Sequence, residues 1–210
     1  MNRKRLFLID GSGYIHRAYH AIKGLRTSAG IPTNAVYGFV GMLRTLLDRH
    51  KPDRIAVVFD VSRISFRNGL YPAYKANRPP APDDLVPQFG YIKEIVRALN
   101  IPCFEMENYE ADDVIATIAE KARGRMMEVV IVSSDKDLYQ LVGEGVVVFD
   151  PMKERFMGAA EIEEKTGVKP SQIVDFLAIM GDSSDNVPGV RGIGEKGAIE
   201  LLGKFSSLDG

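Results

Sequence analysis

Aspartates follow three short apolar runs of the sequence at similar positions. The runs are read as strands, and each is followed within three residues by an aspartate: 6–9 by Asp10, 55–59 by Asp60, and 129–132 by Asp135. Uniformly apolar runs are typical of strands buried on both faces of a parallel sheet. Because the carboxyl ends of parallel strands share one edge, where α/β proteins bind ligands, we expect these carboxylates to converge there.

Further acidic residues occupy positions that could bring them to the same edge. They lie at the start of a predicted helix, two residues after Asp135, and after a helix predicted at 173–180: Glu110, Asp112, Asp113, Asp137, Asp182 and Asp185. Each alone has an ordinary alternative as a helix cap, a dipole partner or a solvated turn. As a group they would repel one another unless protons or cations neutralised them.

An all-oxygen donor set without clustered cysteine or histidine favours hard divalent ions such as Mg²⁺ or Mn²⁺. Two such ions about 3.5 to 4 Å apart can activate a water and stabilise the leaving oxygen of an in-line phosphoryl displacement. The acidic positions therefore indicate phosphodiester hydrolysis, although aspartates also follow strands simply as turn residues.

A basic, aromatic segment at 61–82 interrupts the alternation of strands and helices. It contains four Lys or Arg residues and no acid, together with Phe66, Tyr71 and Tyr74. Cations interleaved with aromatic rings suit single-stranded nucleic acid, whose bases stack and whose phosphates need neutralising. A solvated, charge-rich loop is the alternative.

A glycine-rich segment at 189–197 contains G-x-G-x-x-G, but no strand precedes it, so a dinucleotide site is excluded; Glu195 likewise excludes a P-loop. A tight hairpin between two helices fits better. Its glycines would let the backbone approach a DNA phosphate, while Arg191 and Lys196 add positive charge. Such a hairpin binds duplex backbone without sequence preference, and a hairpin that merely connects two helices is the alternative.

The remaining pattern predicts an α/β chain with a largely parallel sheet. Helical periodicity and one more strand-like run cover the following segments: 37–47, 88–99, 110–123 and 146–149. Two helical stretches between 168 and 205 flank the glycine-rich segment and predict a small helical module. The expected division is therefore a core over 1–167 and the module over 168–210.

The composition is that of an ordinary globular chain of 210 residues, with 45% hydrophobic residues and a formal net charge of −1. Cys103 is the only cysteine, which favours a reducing compartment, and it is interpreted as a small buried hydrophobe. His16 and His20 are spaced for zinc, but without a third ligand they are interpreted as surface residues. The apolar run near the N-terminus is too short for a signal peptide or a membrane span, so a soluble, cytoplasmic protein is expected.

Several motifs, taken in chain order, resemble those of the 5′ nuclease superfamily, in particular the N-terminal 5′→3′ exonuclease domains of bacterial DNA polymerase I, which are relatives of flap endonucleases. The matching stretches span nearly the whole chain: Leu8-Ile-Asp10-Gly-Ser, Phe59-Asp60, Ser65-Phe-Arg67, Tyr74-Lys75 with Arg78, Tyr109-Glu-Ala-Asp-Asp113, Ser134-Asp135-Lys-Asp137-Leu-Tyr-Gln-Leu, and the glycine-rich run from Gly181 to Lys196. The resemblance implies a PIN-like core, a helical arch formed by 61–88, and a helix-three-turn-helix module in 168–210.

The resemblance also implies the metal ligands. The first ion would be held by Asp10, Asp60, Glu110 and Asp113, with Asp112 facing both ions. The second ion would be held by Asp135, Asp137, Asp182 and Asp185.

Contacts to DNA follow from the same resemblance. Lys75 and Arg78 would face the scissile phosphate, and Tyr74 would stack on the terminal base. The implied DNA-binding residues are Arg67, Lys75, Arg78, Arg191, Gly192, Gly194 and Lys196. A monovalent cation, usually K⁺, would lie near Gly189, Val190 and Ile193.

The implied activity is that of a Mg²⁺-dependent, structure-specific 5′ nuclease, both 5′→3′ exonuclease and flap endonuclease, acting in RNA primer removal and DNA repair. Its substrates would be 5′-flapped, nicked or gapped duplexes, including RNA–DNA primer junctions. A monomer in the bacterial cytosol or nucleoid, with a polymerase following Gly210 in the native chain, is expected. A related metal-dependent ribonuclease and a non-catalytic binder of DNA junctions are the alternatives.

The near-neutral net charge hides two opposite regions. Nine of the 28 acids belong to the expected metal site, which leaves 19 acids against 27 bases elsewhere. The rest of the chain is therefore basic enough to hold DNA.

Overall fold

A six-stranded sheet forms the centre of the molecule, and the computed structural model describes residues 3–210. The strands of the sheet are β1 Arg5–Asp10, β2 Arg54–Val58, β3 Cys103–Phe104, β4 Glu128–Val132, β5 Val146–Asp150 and β6 Arg155–Met157. Their order is β3-β2-β1-β4-β5-β6, and only β6 runs antiparallel to its neighbour. This is the mostly parallel α/β sheet that the apolar runs predict.

Helices cover both faces of the sheet. They are α1 Gly11–Ala21, α2 Asn34–His50, α3 Phe66–Leu70, α4 Val86–Ala98, α5 Ala111–Arg123, α6 Ala159–Thr166, α7 Ile173–Met180 and α8 Glu195–Phe205. Short 3-10 helices span Asp137–Leu141 and Pro170–Gln172. Among residues 3–210, no helix has both the length and the apolar character that a membrane crossing requires.

Alternating side chains of the buried strands build two apolar layers. In β1, Leu6 and Leu8 pack on the face covered by α5, whereas Phe7 and Ile9 pack on the face covered by α1, α2 and α4. Phe7, Leu8 and Ile9 have no exposed surface. Burial on both faces explains why these strands are apolar at every position rather than at alternate ones.

The C-terminal module packs onto the face of the sheet that α5 covers. Between α7 and α8 the chain forms a two-stranded ribbon of β7 Gly181–Asp182 and β8 Val187–Pro188. Apolar side chains of α7 and α8, including Phe176 and Leu202, belong to the same buried cluster as Ile115 of α5. This packing holds the loop between β7 and β8 at the carboxyl edge of the sheet, where its residues contact those of the core.

The basic segment has little regular structure. Between β2 and α4 it contains only the five-residue α3, followed by successive turns over 72–78. It is therefore less helical than the arch that the family resemblance implies.

Candidate active site

The three strand-end aspartates lie at one edge of the sheet. Asp10 ends β1, and Asp60 and Asp135 lie in the loops that follow β2 and β4. Asp10 is only 8% exposed, and its carboxylate accepts hydrogen bonds from the Gly13 N–H at 2.8 Å and from the Ser133 hydroxyl at 3.0 Å. A Cβ at residue 13 would lie 2.2 Å from Asp10 Oδ2, so glycine is required beside this carboxylate.

Asp60 joins the strand ends to the start of α5. Its carboxylate accepts a hydrogen bond from the Ala111 N–H at 2.8 Å, and its own N–H donates to the Ser12 hydroxyl at 2.9 Å. Ala111 is the first residue of α5, so the positive end of this helix faces the Asp60 carboxylate. The acidic residues of the first turn of α5 are thereby brought to the same edge.

Asp112, in that first turn, faces the strand-end carboxylates. Burial raises its pKa well above the ordinary value, and the charges of Asp10, Asp135 and Asp60 raise it further. Burial also raises the pKa of Asp10 to about 6, although its two hydrogen bonds act in the opposite direction. Both shifts show that this part of the edge disfavours negative charge unless a cation is added.

Asp137 begins the 3-10 helix after β4 and has the same electrostatic character. Burial raises its pKa to about 6, and the charges of Asp135, Asp182 and Asp185 contribute in the same direction. Its Oδ1 atom is buried and has no hydrogen-bond partner among residues 3–210. A buried oxygen without a partner is costly, and a bound cation would remove that cost.

Three residues of the basic segment contact Glu110 and Asp185. Lys75 Nζ donates to Glu110 Oε2 at 2.7 Å and lies 3.7 Å from Asp185 Oδ2, while Arg78 pairs with Asp185 Oδ1. The Tyr74 hydroxyl lies 3.1 Å from Glu110 Oε2 and 2.9 Å from Asp185 Oδ2. These two carboxylates are therefore already neutralised by side chains of the protein.

Backbone contacts fasten the basic segment to the loop between β7 and β8. The Lys75 N–H donates to the Asp185 carbonyl at 2.9 Å, and the Asn77 side chain donates to the Ser183 carbonyl at 2.7 Å. Lys75 itself has φ +54°, in the left-handed region. Its side chain is thus held at the carboxylates by a specific turn conformation rather than by a helix.

Tyr74 occupies a different environment from the one that base stacking requires. Tyr74 is only 9% exposed, and the Lys75 ammonium lies 4.9 Å from the centroid of the Tyr74 ring. Burial raises the pKa of Tyr74, and the neighbouring Glu110 and Asp185 charges reinforce that shift. With the ring covered, stacking on a terminal base would require Tyr74 to move out of this arrangement.

Asp113 and Arg67 form a bidentate pair. Both Asp113 oxygens accept hydrogen bonds from Arg67, each at 2.7 Å, and Oδ2 also accepts from the Glu110 N–H at 3.0 Å. Hydrogen bonding to Arg67 lowers the pKa of Asp113. The Arg67 guanidinium also lies 4.7 Å from the Phe66 ring centroid. The structure thus places the Asp113 carboxylate against Arg67 and apart from the unpaired acids.

Asp182, at the end of β7, also has a cationic partner. Lys136 Nζ lies 3.0 Å from its Oδ2, and the N–H and hydroxyl of Ser184 donate to its Oδ1. Burial raises the pKa of Asp182, but the hydrogen bonds from Ser184 and Lys136 outweigh burial, so that the net shift is downward.

The acidic side chains of this edge do not surround a common point in the structure. Among residues 3–210, no three His, Cys, Asp or Glu side chains form a ready-made set around one metal position. Four of the acids are turned toward Lys or Arg instead. A divalent ion would therefore have to draw the carboxylates together in competition with these cations.

The glycine-rich hairpin follows β8 and precedes α8. Gly181 and Gly189 pack back to back, since a Cβ on Gly189 would lie 2.3 Å from the Met180 carbonyl carbon. Gly192 has φ +83°, and Gly194 caps α8. The residues predicted to bind DNA are all exposed: Arg191, Gly192, Gly194 and Lys196.

The positions predicted to lie near K⁺ are Gly189, Val190 and Ile193. The Val190 carbonyl accepts a hydrogen bond from the Ile193 N–H at 3.0 Å, and Gly189 is exposed.

Three residues that the sequence assigned no role in the site lie outside it. His16 and His20 are exposed on α1, and Cys103 is half-buried in β3 beside the apolar core. Conversely, no role in the site was predicted for three serines whose hydroxyls contact acidic residues there, Ser12, Ser65 and Ser133, although Ser12 and Ser65 lie within the quoted motifs. Their position directly beside strand ends or acidic motifs is the signal that could have identified Ser12 and Ser133.

Family models match the two parts of the chain. Residues 5–167 match the model described as "5'-3' exonuclease, N-terminal resolvase-like domain", and residues 168–210 match "5'-3' exonuclease, C-terminal SAM fold". The chain therefore belongs to the 5′-3′ exonuclease family. The family resemblance seen in the sequence is confirmed.

Curated relatives include both long and short proteins. A DNA polymerase I of Rhizobium leguminosarum is 50% identical over 212 residues, which are 97% of this chain and 21% of that protein. A 5'-3' exonuclease of Aquifex aeolicus is 45% identical over 206 residues, which are 98% of this chain and 71% of that protein. The chain thus spans about a fifth of the polymerase relative and most of the exonuclease relative.

Solved structures show the same fold. A T5 5'-exonuclease structure with divalent metal ions (zinc) bound has a TM-score of 0.80 at 26% identity, over 97% of this chain and 76% of that one. A T5 D15 flap endonuclease structure with DNA and metal ions has a TM-score of 0.80 at 25% identity, over 98% and 76%.

Proposed function

We propose that the chain is a divalent-metal-dependent 5′ nuclease that hydrolyses DNA phosphodiesters at or near the junction between a 5′ single strand and a duplex, with roles in RNA primer removal and DNA repair. The observation that carries the proposal is the unpaired group of carboxylates at the sheet edge, in which half-buried Asp112 forms no salt bridge and Asp137 Oδ1 has no hydrogen-bond partner among residues 3–210. Relatives described as a 5'-3' exonuclease and as a flap endonuclease with DNA and metal ions support this choice of chemistry.

The donor set suits Mg²⁺ or Mn²⁺, because it contains carboxylate oxygens without thiolate or imidazole. Asp10, Asp60, Glu110 and Asp113 would hold one ion, Asp112 would face both ions, and Asp135, Asp137, Asp182 and Asp185 would hold the other. Two bound ions would activate the attacking water and stabilise the leaving oxygen. The assignment of Asp113 requires the Arg67 pair to open, so Asp113 contributes less directly than Asp112.

Lys75 and Arg78 would face the scissile phosphate during cleavage. They balance Glu110 and Asp185 in this structure, and the Arg78 side chain is 45% exposed, so it can exchange a carboxylate for a phosphate without refolding of the segment. Oriented cations of this kind stabilise charge that develops on a phosphoryl group. Arg67 would serve DNA only after leaving Asp113.

Duplex DNA would contact the hairpin. Arg191 and Lys196 are exposed, and the backbone at Gly192 and Gly194 is open to solvent, so a phosphate can approach closely. A K⁺ ion near the carbonyls of 189–193 would add positive charge between protein and phosphate. We further propose a monomer acting in the bacterial cytoplasm, alongside a polymerase region as the polymerase relatives suggest.

Cleavage of labelled junction substrates tests this function. We expect the chain to cut a 5′-flapped DNA duplex near its junction with Mg²⁺ and to leave it intact with EDTA, with 5′-phosphorylated products. Binding of the flapped duplex without cleavage under Mg²⁺ would instead indicate a non-catalytic junction binder. Faster cleavage of an RNA flap on an RNA duplex would favour the ribonuclease alternative.

A further inference from the structure

A second group of basic side chains surrounds a cavity beside the acidic edge. Arg17 of α1, Lys136 after β4 and Lys165 of α6 line a cavity of about 500 Å³, whose lining also includes Asp10 and Asp135. This volume lies within the range of small-ligand sites, about 300 to 1,000 Å³. The family motifs quoted from the sequence include neither Arg17 nor Lys165.

Two of these three cations have no anionic partner. The Arg17 side chain makes no hydrogen bond or salt bridge with any of residues 3–210, and the Lys165 side chain contacts no carboxylate among them. Lys136 alone is paired, with Asp182. Two of the three cations that line the cavity are thus available to an anion, although Asp10 and Asp135 lie in the same lining.

Tyr139 fixes the position of Lys165. Tyr139 has no exposed surface, its hydroxyl accepts a hydrogen bond from Lys165 Nζ, and the ammonium lies 4.7 Å from its ring centroid. One of the three ammonium N–H groups is thereby used, and two remain for an anion. An otherwise flexible side chain is in this way held at the cavity.

We propose that this cavity is a phosphate subsite for the strand being cleaved, formed by Arg17, Lys136 and Lys165. The proposal deepens the proposed nuclease function and rests on it. Lys75 and Arg78 contact Glu110 and Asp185, whereas the cavity wall contains Asp10 and Asp135, so the two groups of cations serve different parts of the edge. The ligand is a nucleotide phosphate, either an internal phosphodiester next to the scissile bond or the 5′-phosphate of a released mononucleotide.

The two acids in the lining determine under which conditions the subsite binds a phosphate best. The Asp10 and Asp135 carboxylates repel a phosphate, so binding in the cavity strengthens when divalent ions neutralise them. Phosphate binding is therefore expected to be stronger with Mg²⁺ than with EDTA.

Charge-removing variants at the cavity test the proposal. Lys165→Gln and Arg17→Gln are compared with Lys165→Arg, which keeps the charge, and with Lys121→Gln, an exposed lysine near the far end of α5. The measurements are KM and kcat on a 5′-flapped duplex with Mg²⁺, inhibition by a deoxynucleoside 5′-monophosphate, and the salt dependence of duplex binding in EDTA. We expect Lys165→Gln to raise KM about 5-fold or more, to reduce the salt slope by about 1, and to leave Tm unchanged.

The source of the phosphate follows from the inhibition. If a deoxynucleoside 5′-monophosphate inhibits the wild-type protein and inhibits Lys165→Gln less, the cavity binds the 5′-phosphate of a released mononucleotide. If Lys165→Gln changes KM and the salt slope but the mononucleotide does not inhibit, the cavity binds an internal phosphodiester. If both Gln variants match Lys121→Gln in all three measurements, or if Lys165→Arg is as impaired as Lys165→Gln, the subsite does not exist. An absence of cleavage by wild type would refute the nuclease function, while the EDTA binding data would still decide on the subsite.

Discussion

The acidic edge consists of two groups of carboxylates that differ in how their charge is balanced. The paired acids have Lys or Arg partners within 4 Å: Glu110, Asp113, Asp182 and Asp185. The unpaired acids have none among residues 3–210: Asp10, Asp60, Asp112, Asp135 and Asp137. The pKa values shift accordingly, upward for Asp10, Asp112 and Asp137 and downward for Asp113 and Asp182.

The difference shows where added cations matter most. At the unpaired acids, only protons or bound ions can balance the charge, so ion binding there relieves an unfavourable state of the folded protein. At the paired acids, an ion or a phosphate must first displace a protein side chain. The two groups should therefore respond in opposite ways to neutralising substitutions.

The largest effect is expected from Asp112→Asn. This change removes a half-buried carboxylate that forms no salt bridge among residues 3–210, so cleavage with Mg²⁺ should fall at least about 100-fold. The Tm of the protein in EDTA at pH 7 should stay constant or rise, because a charge that burial and neighbouring acids disfavour has been deleted. Flap cleavage rates and thermal unfolding measure the two effects; a clear loss of Tm would show that Asp112 is structurally paired after all.

Lys75→Gln should lower cleavage by about 10- to 100-fold, since the ammonium that faces Glu110 would no longer be available to a phosphate. Lys93→Gln is the matched control, because the Lys93 side chain is 20% exposed, close to the 18% of Lys75, and its partner Glu105 is not one of the nine acids of the candidate site. Single-turnover rates under Mg²⁺ distinguish the two variants. Equal rates for both would remove Lys75 from the reaction.

Asp113→Asn is the counterpart of Asp112→Asn on the neighbouring residue. The substitution breaks the bidentate contact with Arg67 and weakens the hydrogen bond that the Glu110 N–H donates to Asp113. Solvent screens this partly exposed pair, so we expect the free energy of unfolding in EDTA to fall by only about 1 to 2 kcal/mol. Urea unfolding of the two variants gives the comparison. Identical shifts for Asp112→Asn and Asp113→Asn would abolish the distinction between the two groups.

The unpaired acids should also give stability an unusual pH dependence. The pKa of Asp10 is raised from 3.8 to about 6 on folding, so its stabilising contribution is complete below pH 3.8 and is lost as the pH rises through about 6. In EDTA, the Tm of Asp10→Asn relative to wild type should therefore increase between pH 4 and pH 7. The histidines with lowered pKa, His16 and His50, act oppositely but cancel in this difference. Mg²⁺ should reduce the trend, and a flat difference in EDTA would contradict it.

The smallest effect is expected at the hairpin, whose cations balance no acid among residues 3–210. Arg191→Gln combined with Lys196→Gln should weaken duplex binding a few-fold, reduce the salt slope by about 2, and leave Tm unchanged. Anisotropy titrations at several salt concentrations measure the slope. An unchanged slope would exclude the hairpin from the DNA interface.

Much of the fold was accessible from local patterns. The three apolar runs predicted as strands coincide with β1, β2 and β4 of the sheet. They could be recognised because a strand that is buried on both faces has no place for polar residues. Helix ends were less accurate: the helix expected from residue 37 begins at Asn34, and the one expected at 88–99 spans Val86–Ala98. Termini depend on capping contacts that weak periodicity does not reveal.

The sequence by itself determined that aspartates end the strands of a parallel sheet, and therefore that they share an edge, because strand direction and burial are encoded by neighbouring residues. Only the tertiary structure decided which acids are paired. The contact between Lys75 and Glu110 spans 35 residues, and that between Tyr74 and Asp185 spans 111. Such contacts depend on the path of an irregular segment, which no periodic pattern constrains, and the cavity around Arg17 and Lys165 depends likewise on the packing of separate elements.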